Sequence, residues 1–211
     1  MTEKEFIASL KELNITLTEE MLIQLQRFYE LLIEWNTKIN LTRITAKEEA
    51  YLKHFYDSLT ITKVIDLTKV NTLCDVGTGA GFPGIVLKIV FPNLKITLVD
   101  SLDKRVKYLN EVIKELSLKD IRAIHMRAEE LQETYDVVTA RAVANIEKLV
   151  KYTMHLVNKN GCFIAMKGDI DKELQPNIKR KLERKYKIVK IERFTLPKEN
   201  LTRSLLVLQN K

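Results

Sequence analysis

The stretch NTLCDVGTGAGFPGIVLKIVFPN, residues 71–93, reads as strand, glycine turn and helix. Leu73, Cys74 and Val76 form a short apolar run that stops at Gly77, Gly79 and Gly81. Pro83 then stands where a helix opens, a place at which a missing N–H costs nothing. Glycines are needed in such a turn for left-handed backbone and for letting a ligand lie directly on the main chain. The spacing narrows the ligand. A dinucleotide fingerprint, G-x-G-x-x-G counted from Gly77, would need its third glycine at Phe82. The pattern is instead D-x-G-x-G-x-G, with Asp75 closing the strand. A carboxylate there repels a pyrophosphate but suits a ligand with an amino group and a sulfonium, which is S-adenosylmethionine. Asp100 ends the next apolar run, LKITLVD, 25 residues further on, where a carboxylate can take both ribose hydroxyls. A glycine turn alone would serve equally as a tight structural turn; the two acids at this spacing distinguish the readings.

The chain has 211 residues, enough for one domain with an appendage. No uninterrupted run of 18 apolar residues occurs, and MTEKEFIASLKELN is a charged amphipathic segment rather than a signal peptide. The expectation is a cytoplasmic protein without a membrane partner. Cys74 and Cys162 sit in or beside apolar strands, so buried thiols are expected rather than a disulfide, and no metal site is expected. The net charge of +7 is unevenly placed. Residues 1–70 carry 9 basic and 11 acidic side chains, 71–140 carry 9 and 10, and 141–211 carry 17 and 7, so the whole excess is C-terminal. Such a footprint suits a phosphate-bearing partner, with solubility as the plainer reading.

Outward from the glycine turn, the pattern divides the chain into a helical extension over 1–70 and a catalytic domain over 71–211. Thr2 with Glu5 is a capping box for a helix running to about Leu13. Thr18 caps a longer helix whose apolar stripe is Met21, Leu25, Phe28, Leu32, Trp35 and Ile39. Thr45 with Glu48 reads as another capping box, and the helix after it carries His54, Asp57 and Ser58 on one face. This triplet is not a hydrolytic triad, because residues three and four apart on one helix cannot align as nucleophile, base and orienter. His54 and Ser58 are instead candidates to line the ligand pocket.

From residue 71 the pattern alternates: strand 71–76, helix 83–91, strand 94–99, a helix from Ser101, strands 121–126 and 135–140, helix 145–157 and strand 161–166. This is an α/β, doubly wound, mostly parallel sheet, with ligands at the carboxyl ends of its strands. A polar helix follows, with Pro176 interrupting its first half. YKIVKIERFTL and RSLLVLQN alternate in period two and should pair as an antiparallel hairpin. Lys179 and Arg180 belong to a basic run that reads first as a solvated face and second as an RNA contact.

Motif by motif the chain resembles the glucose-inhibited division protein B family, the bacterial small-subunit ribosomal RNA guanine-N7 methyltransferases. The matching pieces are NLT at 40–42, HFYDSL at 54–59, DVGTGAGFPGI at 75–85, LVDSLDKRVKYL at 98–109, RAEEL at 127–131, TARAVA at 139–144, MKG at 166–168 and RSLLVLQNK at the end. The resemblance implies a Rossmann-like class I methyltransferase fold, S-adenosylmethionine as cofactor, and 16S rRNA or the assembled small ribosomal subunit as partner. It further implies methylation at N7 of a guanine in the decoding-centre loop. Cofactor contacts are expected at Asp75, Gly77, Gly79, Gly81, Phe82, Asp100, Ser101, Ala128, Glu129 and Arg141, with Arg141 also catalytic. RNA contacts are expected at Lys104, Arg105, Lys167, Lys179, Arg180 and Arg203, and a monomer is expected.

Guanine N7 carries an in-plane lone pair at neutral pH, so its methylation needs no general base, and no base is evident in the sequence. TARA stands where an adenine-amino enzyme would carry an N-P-P-Y loop, and neither cysteine is placed as a nucleophile. What remains is catalysis by positioning, helped by electrostatics as the sulfonium charge is lost. The competing readings are a methyltransferase of the same fold acting on another RNA, a protein or a small molecule, and a binding module that has lost catalysis.

Overall fold

The computed structural model describes every residue except Ala142, the fourth position of the TARAVA stretch, which therefore lies partly outside the described residues. Seven strands form one sheet in the order β3-β2-β1-β4-β5-β7-β6. They are β1 (Thr72–Val76), β2 (Lys95–Asp100), β3 (Ile121–His125), β4 (Tyr135–Arg141), β5 (Val157–Lys167), β6 (Tyr186–Thr195) and β7 (Thr202–Asn210). The first five run parallel, and β7 runs antiparallel to both β5 and β6. The expected doubly wound sheet with a C-terminal hairpin is what forms. The sequence direction reverses between β1 and β4, which opens a crevice at their carboxyl ends.

Period-two alternation assigns the two faces of the sheet. Leu73, Val137 and Ile164 face one core, shared with α1 (Glu3–Leu10), α2 (Glu19–Ile39), α5 (Gly84–Val90) and α6 (Asp103–Glu115). Cys74, Val138 and Phe163 face the other, covered by α7 (Ile146–Thr153) and α8 (Pro176–Lys185). Helices before the sheet thus share a continuous core with it. Leu25, Phe28 and Leu32 of the α2 stripe are fully buried, while Met21, Trp35 and Ile39 lie at its margin.

The capping box at Thr2 is present, with Glu5 N donating to Thr2 Oγ1 at 3.3 Å and Thr2 N to Glu5 Oε2 at 2.8 Å. The one expected at Thr45 is not. Ala46 holds that place without a side-chain cap, and the carbonyl of Thr45 accepts from Tyr29 instead. After α3 (Lys47–Ala50) the chain widens into a π-helical turn, Tyr51–Tyr56, before the short α4 (Asp57–Leu59). Such turns gather at functional sites, and this one carries His54.

Two boundaries differ from expectation. Pro176 does not interrupt a helix; it begins α8, at a position needing no N–H donor. The helix expected over 145–157 ends at Thr153, and β5 starts early at Val157, with a register irregularity opposite Tyr135 and Val137. Gly161 permits it, since a Cβ there would come within 2.6 Å of the Asp136 carbonyl. No helix among the described residues is long and apolar enough to cross a membrane.

Candidate active site

The turn after β1 is held from beneath by Asp75. Its Oδ2 accepts from Thr78 Oγ1 at 2.7 Å and from Gly84 N at 2.9 Å, fastening both ends of the loop that leads into α5. The carboxyl is wholly buried, and burial pushes it up to about 6. Its Oδ1 is buried without a partner among the described residues. Asp75 therefore shapes the turn and does not reach the open cavity, a correction to its expected direct contact with the cofactor. The glycines also divide by role. A Cβ on Gly81 would meet Ile85 Cγ1 at 2.6 Å and one on Gly84 would meet Leu98 Cδ2 at 2.2 Å, so these two serve packing. Gly79 has φ +61 and nothing nearer than the Gly77 carbonyl at 3.9 Å, leaving bare backbone facing open space.

Asp100 ends β2 beside this turn. Its Oδ2 accepts from Gly79 N at 2.9 Å and from Arg105 Nη1 at 3.3 Å, and its Oδ1 accepts from Leu102 N at 3.0 Å. The acid thus sits at the expected strand end, with Arg105 as an unforeseen counter-ion. Ser101 is exposed after it, while Ala128 is buried and Glu129 exposed in a short turn after β3. Lys104 is exposed on the first turn of α6.

The other half of the crevice is built from chain segments distant in sequence. His54 is 6% exposed and stacks on Phe82, ring centroids 4.4 Å apart and planes at 15°. The guanidinium of Arg141, at the end of β4, lies 5.3 Å from the same ring centroid. Arg141 Nη1 donates to the Lys53 carbonyl and to Asp57 Oδ2, both at 3.0 Å, and Nη2 donates to His54 Nδ1 at 3.3 Å. An arginine only donates, so Nδ1 is the acceptor and the imidazole proton sits on Nε2, which meets Thr42 Oγ1 at 3.0 Å. Burial first and the Arg141 charge second hold His54 down at about 3, so the ring is neutral. Asp57 Oδ1 accepts from Arg203 Nε at 3.1 Å. Lys167 donates to the Ala144 carbonyl and pairs with Glu173 at 2.9 Å.

These groups surround a cavity of about 700 Å³ whose lining includes Gly77, Gly79, Phe82, His54, Arg141 and Arg203. Arg105 and Lys167 also line it. Ser58 does not: its side chain is fully buried and donates back to the His54 carbonyl at 2.6 Å, so its expected place in the pocket is corrected. Asp100, Ser101, Ala128 and Glu129 lie beyond the lining on the β2 and β3 side. Lys179 and Arg180 are exposed on α8, outside the cavity. Thr42, Lys53 and Glu173 were not anticipated as site residues, and Asp57 was anticipated only as part of the polar face it shares with His54. HFYDSL offered Asp57 only as a neighbour of His54, and nothing local in the sequence pairs it with arginines 84 and 146 positions away.

Chemically, the cavity offers cations, paired carboxylates and a neutral histidine with both nitrogens engaged. Both cysteines are buried and their thiols are pushed up by burial, Cys162 to about 11, so neither is a nucleophile. The arrangement can bind and orient an anionic, planar acceptor, but among the described residues it presents no free base.

A profile of the family described as rRNA small subunit methyltransferase G matches residues 21–202. A Bacillus pumilus protein named ribosomal RNA small subunit methyltransferase G is 46% identical over 218 residues, covering 100% of this chain and 91% of its own. The Bacillus subtilis protein of the same name is 43% identical, covering 99% and 90%. Among solved structures, a ribosomal protein L11 methylase from Lactobacillus delbrueckii aligns with TM-score 0.55 and 20% identity over 74% of this chain and 76% of that one. A SAM-dependent methyltransferase from Aquifex aeolicus aligns with TM-score 0.56 and 17% identity over 77% and 93%. At those identities the structural matches speak for the fold alone.

Proposed function

This chain belongs to the family of rRNA small subunit methyltransferase G, and on that premise we propose that it transfers a methyl group from S-adenosylmethionine to guanine N7 in the decoding-centre loop of small-subunit rRNA. The observation that carries the reading is the crevice at the ends of β1 and β4. There, bare backbone at Gly79 and an arginine at the end of β4 line one cavity.

The residues present fit the cofactor. Gly77, Gly79 and Phe82 line the cavity, with Gly79 leaving bare backbone to open space, and Asp100, Ser101, Ala128 and Glu129 follow on the side where a nucleoside would lie. Asp75 supports this turn from below rather than touching the ligand. S-adenosylmethionine, when bound, supplies an electrophilic methyl group. The chain's own residues supply orientation. Arg141 is fixed by three hydrogen bonds and offers its remaining N–H groups to an anionic or acceptor atom. Capture of both O6 and N7 by this arginine would block the lone pair that must attack, so its partner is O6 alone, a phosphate or a carboxylate. The absence of a free base among the described residues of the cavity agrees with N7 as acceptor, since that atom has no proton to lose.

Arg105, Lys167 and Arg203 are the RNA contacts nearest the chemistry, with Lys104, Lys179 and Arg180 as outlying ones. We take residues 1–70 as an extension packed on the methyltransferase domain of 71–211, and the protein as a cytoplasmic monomer acting on 16S rRNA, naked or assembled. The test is transfer of isotopically labelled methyl from S-adenosylmethionine into small subunits lacking the modification and into naked rRNA. Label recovered as 7-methylguanosine from either substrate supports the reading; no label, or label in another nucleoside, overturns it.

A further inference from the structure

Asp57 is 6% exposed, and two guanidinium groups converge on it. Arg141 approaches one carboxylate oxygen at 3.0 Å and Arg203 the other at 3.1 Å. The three residues belong to α4, the end of β4 and the start of β7, and β5 lies between those two strands. The carboxylate therefore bridges over β5 and ties two loops of the crevice together.

Stability alone does not account for such a group. Taking three charges out of water is costly, and apolar side chains of similar volume often do as well or better. A shared carboxylate fixes the two guanidinium planes relative to each other. It also leaves the trio with a net positive charge, suited to one phosphate. Arg141 has both Nη1 protons and one Nη2 proton engaged, leaving Nε–H and the second Nη2–H without a partner among the described residues. Arg203 uses Nε on Asp57 and Nη1 on the Thr202 carbonyl, leaving Nη2. Both side chains line the same cavity. His54 is neutral, Lys53 is drawn off by Glu49 and Glu199, and Lys167 by Glu173, so Asp57 is the acid that the two arginines share.

We propose that Asp57 is a positioning residue for methyl transfer. It holds Arg141 and Arg203 as one unit, so that Arg203 takes a phosphate of the target nucleotide while Arg141 faces the reacting base. The proposal rests on the methyl-transfer reading above.

Asp57→Asn keeps the volume and one acceptor oxygen, but turns an NH₂ donor toward one of the arginines. Asp57→Glu keeps the charge. The measurements are kcat and KM with undermethylated small subunits, affinity for S-adenosylhomocysteine by calorimetry, and the melting temperature. Asp57→Asn should bind S-adenosylhomocysteine as the parent does, yet lose about a hundredfold in kcat/KM, the scale of a misplaced positioning group. Asp57→Glu should recover part of that loss. Adding Arg203→Gln to Asp57→Asn should cost little more, because the two act as one unit. The proposal is overturned if Asp57→Asn keeps parental kcat and KM, if the two losses multiply, or if only the folded fraction falls while turnover per cofactor-binding molecule is unchanged. A parent protein that binds S-adenosylhomocysteine but methylates no subunit overturns the functional reading and this proposal with it. An active parent with an equally active Asp57→Asn variant overturns this proposal alone.

Discussion

His54 lies flat on Phe82, ring centroids 4.4 Å apart and planes 15° from parallel, so a side chain from the helices preceding the sheet is seated on the glycine turn itself. The stacking links the two parts of the chain at the cavity, and burial first, with the Arg141 charge second, sets the histidine's charge state. Burial penalises an imidazolium here, and protonating Nδ1 would in addition place a cation against the Arg141 guanidinium, so the ring is held neutral.

Stability should carry an acid-side signature of this arrangement. His54 falls from its ordinary 6.5 to about 3, so between those values the unfolded chain binds a proton that the folded protein refuses. Its contribution is complete above 6.5 and is lost as pH falls toward 3, with a slope of at most about 1.4 kcal/mol per pH unit. Asp75 acts in the opposite sense. Its carboxyl rises from 3.8 to about 6, so its contribution is present below 3.8 and is lost as pH rises through 6. The two nearly offset each other across the shared window. In urea unfolding, the stability gap between the parent and His54→Asn should widen as pH rises through that window, and the gap for Asp75→Asn should change in the reverse direction. A gap independent of pH in both variants contradicts these assignments.

Arg141→Ala should fold with some loss of stability, because Asp57 keeps Arg203, but turnover should fall by about a hundredfold or more, as for other preorganised donors to a reacting group. Arg141→Lys should recover little, since an ammonium cannot hold Asp57, His54 and the Lys53 carbonyl together as the planar fork does. Steady-state methyl transfer measured beside S-adenosylhomocysteine affinity separates the outcomes; near-parental turnover in Arg141→Ala removes this residue from the site.

Two nearby glycines, Gly79 in the turn after β1 and Gly84 at the start of α5, should respond differently to substitution. Gly79→Val puts a side chain into open space where only a ligand would meet it, together with the cost of left-handed backbone. It should abolish S-adenosylhomocysteine binding while leaving circular dichroism native. Gly84→Val drives a side chain into Leu98 and Asp75 within the core and should lower the melting temperature strongly. Equal stability losses in both variants, with the cofactor still bound to Gly79→Val, would falsify the division of roles.

How much of this is legible in the sequence follows from the range of the interactions. Strand, turn and helix alternation is local, and Leu73, Cys74 and Val76 announce β1 from their neighbours alone. The hairpin is equally plain from its period of two. The boundary of α7 is not, because β5 begins early through an irregularity opposite Tyr135 that only the folded sheet imposes. Nor is Thr45, whose carbonyl goes to Tyr29 in α2. In the site, Gly79 can be read from motif spacing, whereas Phe82 and Arg141 come from the family resemblance. Asp57 with Arg203 cannot, since the pairing spans most of the chain and exists only after β7 inserts beside β5. Asp75 is readable as important but not for its reason: spacing shows an acid at a strand end and cannot show that it faces the loop beneath the ligand.

The basic face of α8 should supply affinity rather than chemistry. Lys179 pairs with Glu183 and Lys181 with Glu147, all partly or largely exposed, and such pairs contribute about 0 to 1 kcal/mol at most. Neutralising Lys179, Arg180 and Lys181 together should weaken rRNA binding and flatten its log-log salt slope by about 0.7 to 0.9 for each phosphate no longer neutralised. The turnover of bound substrate should be unchanged. An unaltered slope assigns this face to solubility.

N7 methylation of a guanine in small-subunit rRNA is the reaction proposed for this chain. It is tested most directly by mass spectrometry of nucleosides and mapped fragments of 16S rRNA from a strain without the gene, beside the same strain carrying either the gene or its Arg141→Ala form. One 7-methylguanosine in the decoding-centre loop should vanish on deletion, return with the gene and stay absent with Arg141→Ala. An rRNA modification pattern unchanged by deletion, or a loss at a nucleoside other than guanosine, contradicts it.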